Sequence, residues 1–585
     1  MSKTILLLLA GVVLILSGFF GCNLLSIQLA PSASDDGNGE SPIQYTLIYD
    51  GNGQTEGSPP YPEKYAPGAL VTVKGNIGGL RKTGFGFQGW NTKQDGTGTT
   101  FFQKETFPIN EPEYYLYARW IASGTPLWAR TVSTGSDYGV FFGIVTDGEG
   151  NVFAAGYQSG NQLYTYGLGV SVSGSSSLGD NAVLVKYDKT GTAEWAKSTL
   201  SPTNGTTVFY DLAADSAGNL YAVGVQVNIY EYTYSDGVFV AGKYSGENCV
   251  LVKYSPEGNA LWAKSVTGGP SKTWFNAVAV SASGDVYAVG AQFGTGVYDY
   301  GNGVTAQGSS DYSNSVIVKY TSAGVPQWAC SVITGTNASD FYDVAVDASN
   351  NVYVVGYQSG IGNYTYGGVS ITGSSSDENA VLVKYTSSGN ALWAKTTTAG
   401  TYGSVFYGIA IDNNGNIYTC GGQRGNSLYN YGSVSVAGTS SYNNAVLVKY
   451  DSGGNALWAR SVSSGSDESY YYGITVDARG SVYAVGDQYG NSPLSYGPQV
   501  TVTGAYNPGY NCVIVKYDSV GKALWGKSTI SAPDPSGFYK VSVDTHDQVY
   551  AVGYQYDSGT FEYGPSITAT GTCQYECPLI LCYVQ

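Results

Sequence analysis

Seven tryptophans, each within a variant of the phrase LWAK, fall at positions 128, 195, 262, 328, 393, 458 and 525. Their spacings are 67, 67, 66, 65, 65 and 67 residues. So regular a period means one supersecondary unit repeated and stacked on its neighbours. Each unit reads in one order. An aromatic pair opens an alternating strand, as in FYDVAVD (341–347), and a tight turn such as DASNN leads to a second strand, NVYVVGYQ (351–358). About twenty residues later comes NAVLVKY or a near-copy, then a second tight turn and the tryptophan strand. Four strands joined this way make an antiparallel meander. An isolated four-stranded sheet cannot bury both faces, yet runs such as AVLV lack the alternation of a one-faced sheet. Radial packing of the sheets about an axis resolves the conflict, giving an all-β, seven-bladed propeller. The first copy starts with PLWAR (126–130), a fourth strand without partners, and the last stops at LILCYV (579–584), after its third strand. The orphan is expected to complete the last blade and close the ring. This places the propeller at 125–585.

The order of elements and the motif D-x-x-G-N-x-Y-x-x-G followed by AVLVKY resemble the bacterial SBBP-type propeller repeats. That resemblance implies the fold and leaves function open. YDSGGNALW is more weakly similar to the tryptophan-docking repeats of quinoprotein propellers, without their cofactor apparatus. Upstream, residues 45–121 begin YTLIYDGNGQTEG, contain GFGFQGWNTKQDGTGT and end YLYARW. They resemble the internalin-type B-repeat, a small β-grasp-like module of surface proteins, which implies a spacer or binding role and no catalytic residue.

The chain opens MSKTILLLLAGVVLILSGFFGC, a short positive region and an apolar run that form a signal-peptide pattern over 1–21. FFGC resembles a bacterial lipobox, which implies lipid attachment at Cys22; an uncleaved membrane anchor is the alternative. Residues 22–44 turn polar and rich in Ser, Gly, Pro and acid, a tether. The expected product is exported and lipid-anchored in the envelope, at the outer membrane or cell surface.

Composition excludes several functions. A net charge of −16 argues against nucleic acid, which needs a basic face. The single histidine, His546, removes Ser-His-Asp and Cys-His sets and most histidine metal sites. Asp147, Asp215, Asp347, Asp412, Asp477 and Asp544 recur at one turn, where an aspartate bonds backbone amides. One carboxylate per turn falls short of the six or more oxygens calcium takes, so neither metal nor cofactor is expected. Cys573, Cys577 and Cys582 crowd the end, and a disulfide there suits an exported protein.

The longer connections share one face, where a ligand is expected. Aromatic pairs, among them Trp274-Phe275, Phe341-Tyr342, Phe406-Tyr407, Tyr471-Tyr472 and Phe538-Tyr539, are placed at the channel mouth. Their rings can stack on sugars or pack between blades. A glutamine repeated in all seven copies (Gln158, Gln226, Gln292, Gln358, Gln423, Gln488, Gln555) is expected to satisfy backbone groups. The unlike segments before each pair would carry specificity. The candidate ligand face is therefore Trp274, Tyr342, Tyr407, Tyr471, Tyr539, Asp137, Asp340, Asp467 and Asp534, with Lys272 and Glu468 beside them. No catalytic residue is assigned. The reading is a non-enzymatic propeller that binds a glycan or protein, with a carbohydrate-active envelope enzyme or a pure spacer as alternatives. The lysine of NAVLVKY is expected to be structural, bridging the recurring turn aspartate, a neighbouring blade or a backbone carbonyl.

Overall fold

The computed structural model describes residues 43–546 and 548–585, and Cys22 with the leader lies outside them. The described chain is all-β. Residues Tyr45–Asp50 and Glu113–Ala122 run parallel at the centre of a five-stranded sheet, beside a small two-stranded one, over a core that includes Leu47, Trp90 and Leu116. From residue 126 onward, seven antiparallel meanders of four strands follow among the described residues; six are four-stranded sheets, and the third continues into Asn363–Tyr366 and Val369–Thr372 as a six-stranded sheet. The fifth is typical, with strands Ser404–Ile411, Ile417–Arg424, Asn443–Tyr450 and Ala456–Ser461 paired in sequence order. The seventh takes its fourth strand from the start of the array. Pro126–Arg130 pairs with Glu576–Val584, with Trp128 opposite Cys582. The first strands of the first and seventh sheets also meet, where the Thr146 hydroxyl donates to the Val543 carbonyl at 3.0 Å.

Each first strand carries a bulge just after its buried aromatic residue, between Phe209 and Asp211 or Phe406 and Gly408, for example. The bulge presses the strand's carbonyl against a glycine of the second strand. A Cβ on Gly156, Gly356 or Gly486 would lie 1.8–2.0 Å from that oxygen, so the glycine of the repeated aromatic-x-x-G admits no side chain.

The bulge also fixes which residues face inward. Phe141, Phe209, Phe275, Phe341, Phe406, Tyr471 and Phe538 are buried between sheets. Their followers meet from sheet to sheet, with ring centroids 5.0–5.7 Å apart for Phe142–Tyr210, Phe142–Tyr539, Tyr539–Tyr472, Tyr472–Tyr407 and Tyr407–Tyr342. In the third sheet the inward pair is Phe275-Asn276, one residue later than the sequence reading, and Trp274 precedes it.

The lysines of NAVLVKY join neighbouring sheets. Lys253, Lys319, Lys384 and Lys449 donate to the carbonyls of Ser322, Ser387, Ser452 and Ser519 in the next sheet's tight turn, at 3.0–3.3 Å. In three of these sheets the repeat tryptophan (Trp262, Trp328, Trp458) donates to the same oxygen. Each of the four ammonium groups also lies 4.8–5.5 Å from a tyrosine ring centroid of its own sheet. The bridge to the recurring aspartate forms for Lys253 and Asp215, at 3.6 Å. Elsewhere tyrosine hydroxyls take that carboxylate, as Tyr353 does Asp347 and Tyr418 does Asp412. The aspartate's other oxygen accepts the turn amides, as from Ser349 and Asn351. In four copies lysine thus reaches a carbonyl, while Lys186 pairs with Glu194 at 2.7 Å.

Candidate active site

Repeated side chains build the long-loop face identically in each sheet. The repeated glutamine accepts a tyrosine hydroxyl from eight residues on (Tyr166, Tyr234 and Tyr300 at 2.9 Å) and donates to a hairpin carbonyl fourteen residues on in the same copies. The asparagine before AVLVKY braces the loop ahead of it, Asn379 Oδ1 accepting the amides of Ser374 and Ser375 at 2.8 Å. In the seventh sheet Cys577 holds that asparagine's place, accepting the Cys573 amide at 3.0 Å and forming a disulfide with Cys573.

On this regular frame the fourth, fifth and sixth sheets enclose a cavity of about 620 Å³, lined among others by Asp377, Glu378, Tyr407, Arg424, Asn443, Glu468 and Tyr470. Small residues open it. Gly422 stands where other second strands place Tyr157, Tyr357 or Tyr554. Gly403 stands where Lys272 and Glu468 precede theirs. A Cβ at Gly403 would lie 3.4 Å from Glu378 Oε2, and one at Gly422 would lie 3.2 Å from the Tyr470 ring.

The two glutamates differ in environment. Burial by the cavity walls, reinforced by neighbouring Asp377, raises the Glu378 carboxyl above its usual range, and Arg424 only partly offsets this. Glu378 still opens to solvent in the cavity mouth. Burial also pushes Glu468 upward, but its hydrogen bonds prevail and hold it below the usual range. Its Oε1 accepts Asn443 at 2.6 Å and Tyr470 at 2.8 Å, and Oε2 accepts the Tyr510 hydroxyl at 2.9 Å. Behind them Asp487 is 6 % exposed, and burial followed by the charge of Glu468 drives its carboxyl far up. The Tyr407 phenol, deprived of water, is pushed up to about 12. One carboxylic acid biased to keep its proton and one carboxylate biased to lose it are the two components of general acid–base chemistry.

Of the residues singled out in the sequence, Tyr407 and Glu468 meet in this cavity, with Asp467 adjoining. Trp274 and Asp340 meet elsewhere, where Trp274 Nε1 donates to Asp340 Oδ2 at 2.9 Å and Asn276 donates to Oδ1 at 3.0 Å. Burial raises Asp340 to about 8 despite these bonds. Tyr342 and Tyr539 belong to the aromatic side chains that meet from sheet to sheet. Tyr471 is a core residue, 1 % exposed, its hydroxyl 2.8 Å from that of Tyr517. Asp137 and Asp534 sit half-buried before the first strands of the first and seventh sheets. Glu378, Arg424, Asn443, Tyr470 and Gly422 escaped the sequence reading, although all but Glu378 break the repeat at their own positions.

No family model matches the chain, so the SBBP and B-repeat phrases remain resemblances. A putative membrane protein of Evansella cellulosilytica is 28% identical over 185 residues, 31% of this chain and 26% of that protein. An uncharacterized WD repeat-containing protein of Acanthamoeba polyphaga mimivirus is 26% identical over 441 residues, 64% of this chain and 31% of its own. The chain thus spans about a quarter to a third of these relatives' lengths. Among solved structures, β-propeller proteins are similar. Streptogramin B lyase has a TM-score of 0.38 at 10% identity, with 78% of this chain and 96% of that one covered. The GH74 xyloglucanase of Xanthomonas campestris has a TM-score of 0.37 at 10% identity, covering 76% and 56%. A PL25 ulvan lyase has a TM-score of 0.36 at 9% identity, covering 74% and 93%. The expectation of a non-enzymatic chain is corrected here, because similar propellers are named as lyases, a xyloglucanase and a gluconolactonase.

Proposed function

We propose that the chain is a carbohydrate-active enzyme of the cell envelope that cleaves a glycosidic bond in the cavity between its fourth, fifth and sixth sheets. The opposite displacement of Glu378 and Glu468 within one recess carries this reading. Glu378 gives its proton to the leaving glycosidic oxygen as the C–O bond breaks. Glu468 takes a proton from the water whose oxygen bonds to the anomeric carbon. Arg424 offsets the charge left on Glu378, and the tyrosines offer faces for sugar rings.

The frame we propose is a closed seven-bladed propeller, supported by the pairing of residues 126–130 with 576–584 and by the aromatic side chains that meet from sheet to sheet. A B-repeat-like spacer and a lipid anchor at Cys22 would hold it in the envelope, supported by the quoted phrases and by relatives named as putative membrane proteins.

Incubation of the full chain with a panel of neutral, amino-sugar and uronate polysaccharides, read by release of new chain ends, tests the activity. Glu468→Gln and Glu378→Gln should each remove it with the melting temperature unchanged. Release that persists in both variants, or no release from any polymer, refutes it.

A further inference from the structure

Position by position, the long-loop face carries more acid than its fold requires. The third strands begin with Asp180, Glu247, Glu378 and Glu576 in four sheets, while Ser313, Asn443 and Tyr510 serve the same position in the other three. A structural role that serine or tyrosine fills does not call for a carboxylate. Cationic compensation is sparse. Glu247 has Lys272 at 3.6 Å, and Arg424 is the one cation lining the cavity. Burial raises Asp180, Glu378 and Glu576 together, as carboxyls short of positive partners behave. Asp487 adds a buried carboxyl behind Glu468, its Oδ1 without a hydrogen-bond partner. Aromatic faces accompany the acid. Tyr442, 63% exposed, lines the cavity with Tyr407 and Tyr470, and Tyr402, 48% exposed, lies 5.9 Å from Arg424 beside it. Carboxylates beside open tyrosine faces attract a cation that also has a flat apolar side, through charge and cation–π contact at once.

We infer that the ligand of this cavity is a glycan bearing protonated amines, a polymer of deacetylated hexosamine, in preference to a neutral or uronate polymer. The inference rests on the proposed glycan cleavage for its site, and it can fail separately. An ammonium at the mouth is drawn to the Asp377 carboxylate, and a uronate there would be repelled by it. The carboxylates of the remaining sheets raise the local concentration of a cationic chain around the recess.

The test uses the full chain carrying Glu378→Gln, whose amide stands for the protonated acid. Its affinity is measured for a deacetylated hexosamine oligomer, the fully N-acetylated oligomer and a uronate oligomer. The deacetylated oligomer should bind about tenfold or more tighter than the acetylated one at low salt, with the ratio collapsing as salt screens exposed charges. Adding Asp180→Asn and Glu576→Gln should weaken the deacetylated oligomer alone. Equal affinities, a preference for acetylated or uronate oligomers, or no binding to any of the three overturns the inference. Preferential binding without cleavage by the unmodified chain would support it while refuting the glycosidase reading. Cleavage without preference would do the reverse.

Discussion

Lys540→Met probes the charges buried where the first strands of the second, fourth and seventh sheets meet. Lys540 extends from the first strand of the seventh sheet to Asp343 Oδ1 at 2.9 Å in the fourth and Asp211 Oδ1 at 3.3 Å in the second. The equivalent positions in the other sheets are Gly143, Ala277, Gly408 and Gly473, so one long side chain has the space. The second carboxylate oxygens accept the Val278 and Ile409 amides at 3.1 and 3.0 Å, tying the three sheets to the two that carry these amides. Asp211 and Asp343 are each 3% exposed, so a methionine would leave two buried carboxylates without a cation. Removing one partner of such an arrangement costs about 3–5 kcal/mol.

Charge should make that cost depend on pH. Even with Lys540 present, burial raises Asp211 to about 6, above the roughly 3.9 of an unfolded aspartate. A folded carboxyl with a raised pKa keeps its proton longer than the unfolded one, so its share of stability is full at low pH and lost as pH rises. For the unmodified chain that window is about 4 to 6. Without the ammonium the folded value of Asp211 climbs further, and the loss extends to neutral pH. Denaturant unfolding followed by tryptophan fluorescence at pH 8 and pH 4 should therefore show the full deficit at pH 8 and most of it recovered at pH 4. Adding Asp211→Asn and Asp343→Asn should restore stability at pH 8. A deficit equal at both values, or none at pH 8, would refute the charge argument and leave only lost packing.

Asp340, raised to about 8 by burial, obeys the same sign, so Asp340→Asn should gain stability relative to the unmodified chain as pH rises from about 4 to 8. Lys384→Met loses the bond to Ser452 and the contact over Tyr353, and should cost about 1–2 kcal/mol in denaturant unfolding while polysaccharide cleavage is unchanged. Cleavage itself should follow a bell in pH, its acid limb set by Glu468 below the usual carboxylate range and its basic limb by Glu378 above it. Glu378→Gln should abolish the bell with the activity. Reduction should release the Cys573–Cys577 loop at a cost of about 2 kcal/mol, and Cys573→Ser with Cys577→Asn should make thermal unfolding indifferent to reductant by removing the disulfide, while the asparagine restores the brace of the other copies.

Which features were legible in the sequence follows from what repeats. The meander, the joining of residues 126–130 to 576–584, the backbone role of the glutamines and the structural role of the lysines came from comparing copies, because a residue that recurs in six or seven copies is held by the fold. The lysine's partner was less visible. Lys384 meets a carbonyl of the next sheet, and a carbonyl leaves no mark in an amino-acid pattern. Register failed at Trp274, where two aromatic residues sit one step early and only the bulge before Ala277 shows that Asn276 takes the follower's place.

The cavity was missed for a related reason. Its specificity was sought in the visibly unlike segments, which supplied Glu468, whereas Glu378 and Arg424 sit inside conserved phrases, next to Asn379 and Gln423. A regular position with an irregular residue is the stronger signal, since the fold has already fixed where its side chain points. Gly422 is the sharpest instance: where three other sheets put a tyrosine, the fifth puts nothing, and the space left is the recess that Tyr470 and Glu468 enter from the sixth. An asymmetric site on a repeated frame is made as much by the side chain one copy omits as by the charges its neighbours add.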